Sequence, residues 1–190
     1  MKIALAAACA VALVVPLAGA AVADTINGTS GDDMLYGTPG SDSISGRKGN
    51  DSLFGGGGRD GLRGGVGRDV LIGGAGQDDI SGGPGGDHMR GNRGPDWIVD
   101  FVATEFGPSL PVDHDHVLAG RGDDHIGFGN GRDNVRGGPG LDKLRTQRDA
   151  FVDKINCGRG ANDLLSYYGP FDRKDVVRGC ERVQAIVTTQ

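Results

Sequence analysis

The chain has 190 residues, 37 of them glycine, with 5% aromatic residues and a formal net charge of −5. Ordering this much glycine is entropically costly and few aromatic side chains are available to pack, so a conventional globular core is excluded. Without a ligand, such a chain is expected to be largely disordered. The acidic balance, with no basic stripe interleaved with aromatics, argues against a nucleic-acid partner.

Residues 1–23 have the pattern of a secretory signal peptide. Lys2 forms a short basic region, an apolar run extends from Ile3 to Val15, and Ala21-Val22-Ala23 is a cleavage signal before Asp24. The apolar run is too short and too rich in alanine for a membrane span, and no other stretch is sufficiently hydrophobic. We therefore expect a secreted, extracellular protein without stable membrane insertion.

A strict nine-residue repeat fills residues 28–99, after a lead-in (24–27) whose Ile26 is expected to cover the first coil. Positions 1 and 4 of all eight units are glycine, position 6 is aspartate and position 8 is leucine, isoleucine or methionine. The position-6 residues are Asp33, Asp42, Asp51, Asp60, Asp69, Asp78, Asp87 and Asp96. The position-8 residues are Leu35, Ile44, Leu53, Leu62, Leu71, Ile80, Met89 and Ile98.

Each fixed position of the repeat has a physical reason. Two glycines per unit permit a tight turn, and the three residues after the aspartate form a minimal strand. Within that strand position 8 points inward while positions 7 and 9 point outward, and one inward residue is buried only by stacking on its equivalents. A flexible glycine-rich linker would show no such phase, so the repeat predicts an all-β solenoid.

The aspartates of stacked turns are expected to lie on the order of 5 Å apart. Carboxylates at this spacing repel one another, and no lysine or arginine occupies a neighbouring fixed position. A hard divalent cation removes the repulsion, because Ca²⁺ prefers six to eight oxygen ligands and glycine-rich turns expose backbone carbonyls. The aspartates are therefore predicted to bind several calcium ions.

The unit G-G-x-G-x-D-x-U-x resembles the RTX, or haemolysin-type, calcium-binding nonapeptide. This resemblance implies a parallel β-roll in which two nonapeptides make one coil and calcium lies between turns stacked on the same edge. Position-6 carboxylates and turn carbonyls would hold each ion. Eight turns place four on each edge, with three gaps between them, so about six ions would fit.

The register breaks after Val99, and residues 100–109 are interpreted as an insertion loop with apolar residues at Phe101, Val102 and Phe106. We expect this loop to cover one side of the roll, with Trp97 packing against it. An aromatic platform that binds sugars is the alternative.

The register resumes over residues 110–145, a second block of four turns whose first unit lacks both glycines. Four turns place two on each edge, with one gap between them, so this block adds about one calcium site on each edge. Their position-6 residues are Asp115, Asp124, Asp133 and Asp142, and their position-8 residues are Val117, Ile126, Val135 and Leu144.

Residues 146–190 are interpreted as a C-terminal cap, in which a terminal repeat seals the last apolar layer. Cleavage of the signal peptide leaves only Cys157 and Cys180, which are predicted to form a disulfide in a secreted chain. This end resembles the cysteine-closed ends of secreted, repeat-only bacterial calcium-binding proteins. Positions 6 and 8 are echoed at Asp153 and Ile155, Asn162 and Leu164, and Asp175 and Val177, and Val183, Ile186 and Val187 suggest a closing strand.

Catalytic motifs are absent from the sequence. There is no H-E-x-x-H and no G-x-S-x-G, so the metalloprotease and lipase classes are not indicated. His114 and His116, two apart on a strand, offer a possible zinc site, but exposure beside the ligand Asp115 is the favoured interpretation. His88 and His125 fall at the outward position 7.

These patterns predict a secreted, non-catalytic calcium-binding protein. It would fold as a β-roll on meeting extracellular Ca²⁺. The alternative is a calcium-dependent adhesin or cell-surface matrix module that binds a glycan or protein partner.

Overall fold

The computed structural model describes residues 11–12, 23–100, 113–147, 149, 151–168 and 172–186. Within these ranges the chain forms β-strands and no helix. The strands are β1 (Val11–Ala12), β2 (Thr25–Asn27), β3 (Met34–Tyr36), β4 (Ser43–Lys48), β5 (Ser52–Gly57), β6 (Gly61–Val66), β7 (Val70–Ala75), β8 (Asp79–Ser81), β9 (His88–Arg93), β10 (Trp97–Val99), β11 (His116–Arg121), β12 (His125–Gly127), β13 (Asn134–Pro139), β14 (Lys143–Gln147), β15 (Lys154–Arg159), β16 (Leu164–Tyr168), β17 (Val176–Arg178) and β18 (Arg182–Ile186).

The strands form two parallel nine-stranded sheets, one from the odd-numbered strands and one from the even-numbered strands. Successive strands of the chain therefore alternate between the sheets, and two nonapeptides complete one coil. Register is set by equivalent residues two units apart, as in the pairing of Leu53 with Leu71. The predicted all-β parallel β-roll is confirmed.

Several strands are longer than the repeat predicted. Three residues after the aspartate are paired in β3, β8 and β10, as expected, but β4 to β7, β9 and others have six residues. The additional pairs lie at positions 2 and 3 of the next unit, for example Gly56 with Gly74. The prediction of a minimal strand throughout was wrong because paired backbone continues past position 1 and the turn occupies fewer residues.

The core is one ladder of position-8 side chains between the two sheets. From Leu53 to Ile98 these side chains have 0% exposure, and the ladder continues through Val117, Val135 and Leu144. Ile26 of β2 joins this core, as the lead-in predicted. Each buried leucine or isoleucine contributes about 1.5–3 kcal/mol relative to an exposed one, so stacking supplies the apolar burial that one coil lacks.

The insertion after Val99 leaves the coil register intact. β9 pairs with β11 and β10 pairs with β12, so the sheets continue across it. The predicted apolar cover from Phe101, Val102 and Phe106 lies outside the described residues. Trp97 is about half exposed and stacks on His125, with ring centroids 5.2 Å apart.

The sheets also continue into the predicted cap, where β15 to β18 add further parallel strands. Asp153 and Ile155 are buried there, as the pattern predicted. The pairing of Asn162 with Leu164 was wrong by one residue: Asp163 and Leu165 are the buried pair. Asn162 instead has a positive φ of 74°, which places it in the turn before the strand.

Cys157 and Cys180 form a disulfide, as predicted. Cys157 is fully buried in the core ladder, and the bond therefore ties the end of the roll to its interior. Within the described ranges, the chain forms no helix long and apolar enough to cross a membrane.

Candidate metal centre

Position-6 carboxylates line up in two columns, one for each sheet. In both, the backbone N–H of one aspartate donates to Oδ1 of its equivalent in the next coil, as from Asp51 to Asp69 at 2.8 Å. The first column contains Asp33, Asp51, Asp69, Asp87, Asp115, Asp133, Asp153 and Asp175. The second column contains Asp24, Asp42, Asp60, Asp78, Asp96, Asp124, Asp142, Asp163 and finally Glu181. All twelve sequence-predicted aspartates fall in these columns.

The second carboxylate oxygen is buried without a hydrogen-bond donor through most of both columns. This applies to Oδ2 of Asp51, Asp60, Asp69, Asp78, Asp87, Asp96, Asp115, Asp124, Asp133, Asp142 and Asp163. Buried polar atoms in proteins normally have a partner, because leaving one unpaired costs roughly 1–3 kcal/mol. A row of unpaired anionic oxygens therefore indicates a missing cationic partner.

Position-1 glycines create the space beside these oxygens. A Cβ on Gly64 would lie directly against Asp69 Oδ2 and within 2.7 Å of the carbonyl oxygen of Gly82. The same arrangement recurs at Gly46 and Gly55. We call the space between two successive aspartates of a column a gap. Each such gap is lined by carboxylate and carbonyl oxygens, the donor set that Ca²⁺ prefers, so these residues fit a calcium ion.

Burial raises the pKa of Asp69 and Asp87 in the first column, and the charges of neighbouring carboxylates raise it further. Burial chiefly raises the pKa of Asp69 to about 6 and that of Asp87 to about 8, although backbone hydrogen bonds oppose the shift. Ionised columns are therefore unfavourable in the metal-free roll near neutral pH. Divalent cations in the gaps would offset both the desolvation and the repulsion.

Three carboxylates at or near the ends of the columns differ from those in the middle. Thr29 donates to Asp33 Oδ2 from its backbone N–H and its hydroxyl, and Thr38 does the same for Asp42. At the other end, the Tyr167 hydroxyl donates to Asp175 Oδ2 at 2.9 Å. Protein donors thus satisfy the second oxygen of Asp33, Asp42 and Asp175, a distinction that the repeat pattern did not predict for Asp33 and Asp42.

Asp100 was missed as a site residue because it begins the predicted insertion. It occupies position 1 of the following turn, where every earlier unit has glycine. Its carboxyl lies with those of Asp87 and Asp115, with ligand atoms within 4.8 Å of one another. Burial, then the hydrogen bond and charge of Asp115, strongly raises the pKa of Asp100. An acid at the glycine position was the available sequence signal.

The histidines do not assemble a comparable site among the described residues. His114 Nδ1 accepts a hydrogen bond from the Arg132 backbone N–H at 3.0 Å. His114 is exposed, which is the interpretation that the sequence favoured over a zinc site. His116, which was also expected to be exposed, is only partly exposed and lies against His88 across the sheet, with ring centroids 5.2 Å apart. No group of three potential ligands in the described chain includes a histidine.

The fold and the columns define a parallel β-roll with carboxylate-lined, metal-compatible gaps. A family model described as the RTX calcium-binding nonapeptide repeat (4 copies) matches residues 19–53, 27–62, 36–71, 54–89 and 63–98. Residues 19–98 therefore carry the RTX calcium-binding nonapeptide repeat. No curated protein and no solved structure gives a significant match.

Proposed function

We propose that this protein is a secreted, non-catalytic calcium-binding β-roll that folds when it meets extracellular Ca²⁺. The observation that carries the proposal is the row of buried Oδ2 atoms without donors beside position-1 glycines. The match of residues 19–98 to the calcium-binding repeat supports calcium as the ion. The signal-peptide pattern of residues 1–23 supports export.

The ions would occupy gaps between consecutive aspartates whose Oδ2 has no donor. Asp51 to Asp133 bound four such gaps in the first column, and Asp60 to Asp163 bound five in the second. Asp33 and Asp42 are paired with threonines and would contribute less. We therefore expect about nine ions at saturation, each with oxygen ligands only.

The mechanism is folding coupled to metal binding. In the low-calcium cytoplasm, carboxylate repulsion keeps the glycine-rich chain unfolded and competent for export. Outside the cell, near-millimolar calcium would bridge successive coils and allow the position-8 ladder to close. No described residue set suggests a reaction, and binding itself is the proposed activity.

Circular dichroism of residues 24–190, with the disulfide intact, tests this proposal. Calcium should produce a cooperative gain of β signal that a chelator reverses, and magnesium should be less effective because it tolerates irregular geometry poorly. Asp78→Asn should raise the calcium midpoint. The matched control is Asp79→Asn, the same charge change at the exposed neighbouring residue, which should leave the midpoint unchanged.

Two results would contradict the proposal. One is a spectrum that is already folded without calcium at neutral pH and does not respond to the ion. The other is equal behaviour of Asp78→Asn and Asp79→Asn, which would mean that the buried column does not bind the metal.

A calcium-dependent adhesin is the second candidate function. Trp97 favours it, because this large aromatic is 49% exposed and its ring is held in a fixed orientation by stacking on His125. Pull-down with cell-wall material in calcium and in chelator tests binding. Trp97→Ala should abolish capture while leaving the calcium-induced β signal intact, and equal capture by this variant would exclude Trp97 as the contact.

A further inference from the structure

The gap at the insertion differs from every other gap in the columns. Within residues 28–99, successive aspartates face an opening left by a position-1 glycine, and in the second block the uncharged Ala119 and Phe128 occupy position 1. Here Asp100 occupies position 1, beside Asp87 and Asp115, and its ligand oxygen lies within 4.8 Å of theirs. In the part of the chain that the structure describes, this is the only group of three or more His, Cys, Asp or Glu side chains with ligand atoms this close together.

All three carboxyl groups are buried and have unpaired oxygens directed into the cluster. Asp87, Asp100 and Asp115 are 0%, 4% and 3% exposed. No donor among the described residues reaches Asp87 Oδ2, Asp115 Oδ2 or Asp100 Oδ1. Asp115 Oδ1 is already used, since it accepts from the Asp87 N–H at 2.7 Å.

The insertion explains how an acid is accommodated at position 1. At Gly82, the equivalent position one coil earlier, an added Cβ would lie against Asp87 Oδ2 and 2.7 Å from Asp100 Oδ1. Asp87 and Asp115 are 28 residues apart, whereas regular neighbours are 18 apart. In a regular unit, the aspartate at position 6 follows the residue at position 1 by five residues. The longer connection places Asp115 further along the chain from Asp100, so this spacing no longer constrains the two side chains. The Asp100 backbone nevertheless stays in register, with its N–H donating to the Gly127 carbonyl at 3.0 Å.

We propose that Asp87, Asp100 and Asp115 form a three-carboxylate calcium site that binds more tightly than the regular two-carboxylate gaps. The physical reason is ligand charge, because the number of carboxylates and the rigidity of the site set the affinity of oxygen-lined calcium sites. Loading this site first joins the coils on either side of the insertion. This inference rests on the proposed calcium binding and adds an order of occupancy to it.

Stepwise calcium binding, measured by equilibrium dialysis on the purified protein with its disulfide intact, tests the inference. The wild type should show one tight ion followed by a weaker class. Asp100→Asn removes the third charge with little change of shape. Asp100→Gly restores the glycine that all eight regular units have at position 1. In both variants the Kd of the tight ion should rise at least about tenfold, with the weaker class unchanged.

Asp79→Asn is the control for a general charge effect and should retain the tight ion. The inference is overturned if either folded variant at Asp100 keeps a tight ion of wild-type affinity. It is also overturned if the wild type shows a single class of equivalent ions. Failure of the underlying calcium proposal is distinguishable, because the wild type itself would then bind no calcium.

Discussion

At the scale of single residues, the two fixed glycines of the repeat have different functions. Position-4 glycines such as Gly58 and Gly76 adopt positive φ, of 99° and 136°, and so turn the chain. Position-1 glycines such as Gly64 have no such φ, but they leave room for a carboxylate and a carbonyl oxygen. Within residues 28–99, glycine at position 1 is therefore explained by the candidate metal gap rather than by backbone conformation.

Gly64→Ala tests this distinction. Its Cβ would collide with Asp69 Oδ2 and the Gly82 carbonyl oxygen, so calcium affinity should fall and the calcium midpoint in circular dichroism should rise several-fold. Gly61→Ala is the control, because the nearest atom to its added Cβ is the Asp42 carbonyl oxygen at 3.9 Å. Equal midpoints for the two variants would show that position 1 does not shape the gap.

At the scale of strands, a coil has too little apolar surface to fold alone. Each strand contributes one core side chain at position 8, and that side chain is covered only when coils stack on either side. Calcium in the gaps and the apolar ladder in the core therefore depend on the same stacking. Folding should be cooperative along the roll for this reason.

Leu71→Ala tests the contribution of the ladder. Leu71 is 0% exposed, so the truncation should lower the free energy of unfolding in saturating calcium by about 2–5 kcal/mol, measured by urea denaturation. Val66→Ala on the outer surface, where Val66 is 53% exposed, should change it by less than about 0.5 kcal/mol. A small effect at Leu71 would mean that calcium alone holds the coils together.

At the scale of the whole molecule, charge is divided between interior and exterior. Sixteen aspartates among the described residues are buried, whereas arginines lie on the surface, and the exposed Arg93 and Arg121 pair between β9 and β11 of the odd-numbered sheet. The sequence showed no basic stripe because these arginines are far apart in the chain. The formal net charge thus conceals an acidic interior and a basic exterior.

Calcium binding should therefore reverse the net charge. Residues 24–190 lack only the charge of Lys2, which changes the formal value from −5 to −6. More than three bound Ca²⁺ ions outweigh this charge, so electrophoretic mobility should change sign during a calcium titration. A mobility that stays anionic at saturation would contradict the proposed stoichiometry.

The metal-free roll should be stabilised by acid. The folded-state pKa is about 6 for Asp69 and about 8 for Asp87 and Asp133, above the ordinary 3.8. Protonation therefore favours the folded state fully below about pH 3.8, and this contribution is lost as pH rises through 6 to 8. Circular dichroism in metal-free buffer should show β signal decreasing over that range.

With calcium present, the pH dependence should have the opposite sign. Protons compete with the ion for the same carboxylates, so the calcium midpoint should rise as pH falls from 8 to 6. A metal-free roll that becomes more folded as pH rises would refute the assigned direction of the carboxyl pKa shifts.

The sequence by itself determined the β-roll, the position-8 core, the two aspartate columns through Asp142 and the disulfide. These features repeat at a fixed period or, like Cys157 and Cys180, follow from residue type and the signal-peptide pattern. Only the tertiary structure decided which carboxylate oxygens lack donors and that Asp100 joins Asp87 and Asp115. It also decided that Thr29, Thr38 and Tyr167 donate to carboxylates at or near the ends of the columns. The physical reason is that these contacts occur where the period breaks, so they depend on which coil lies alongside rather than on the repeat.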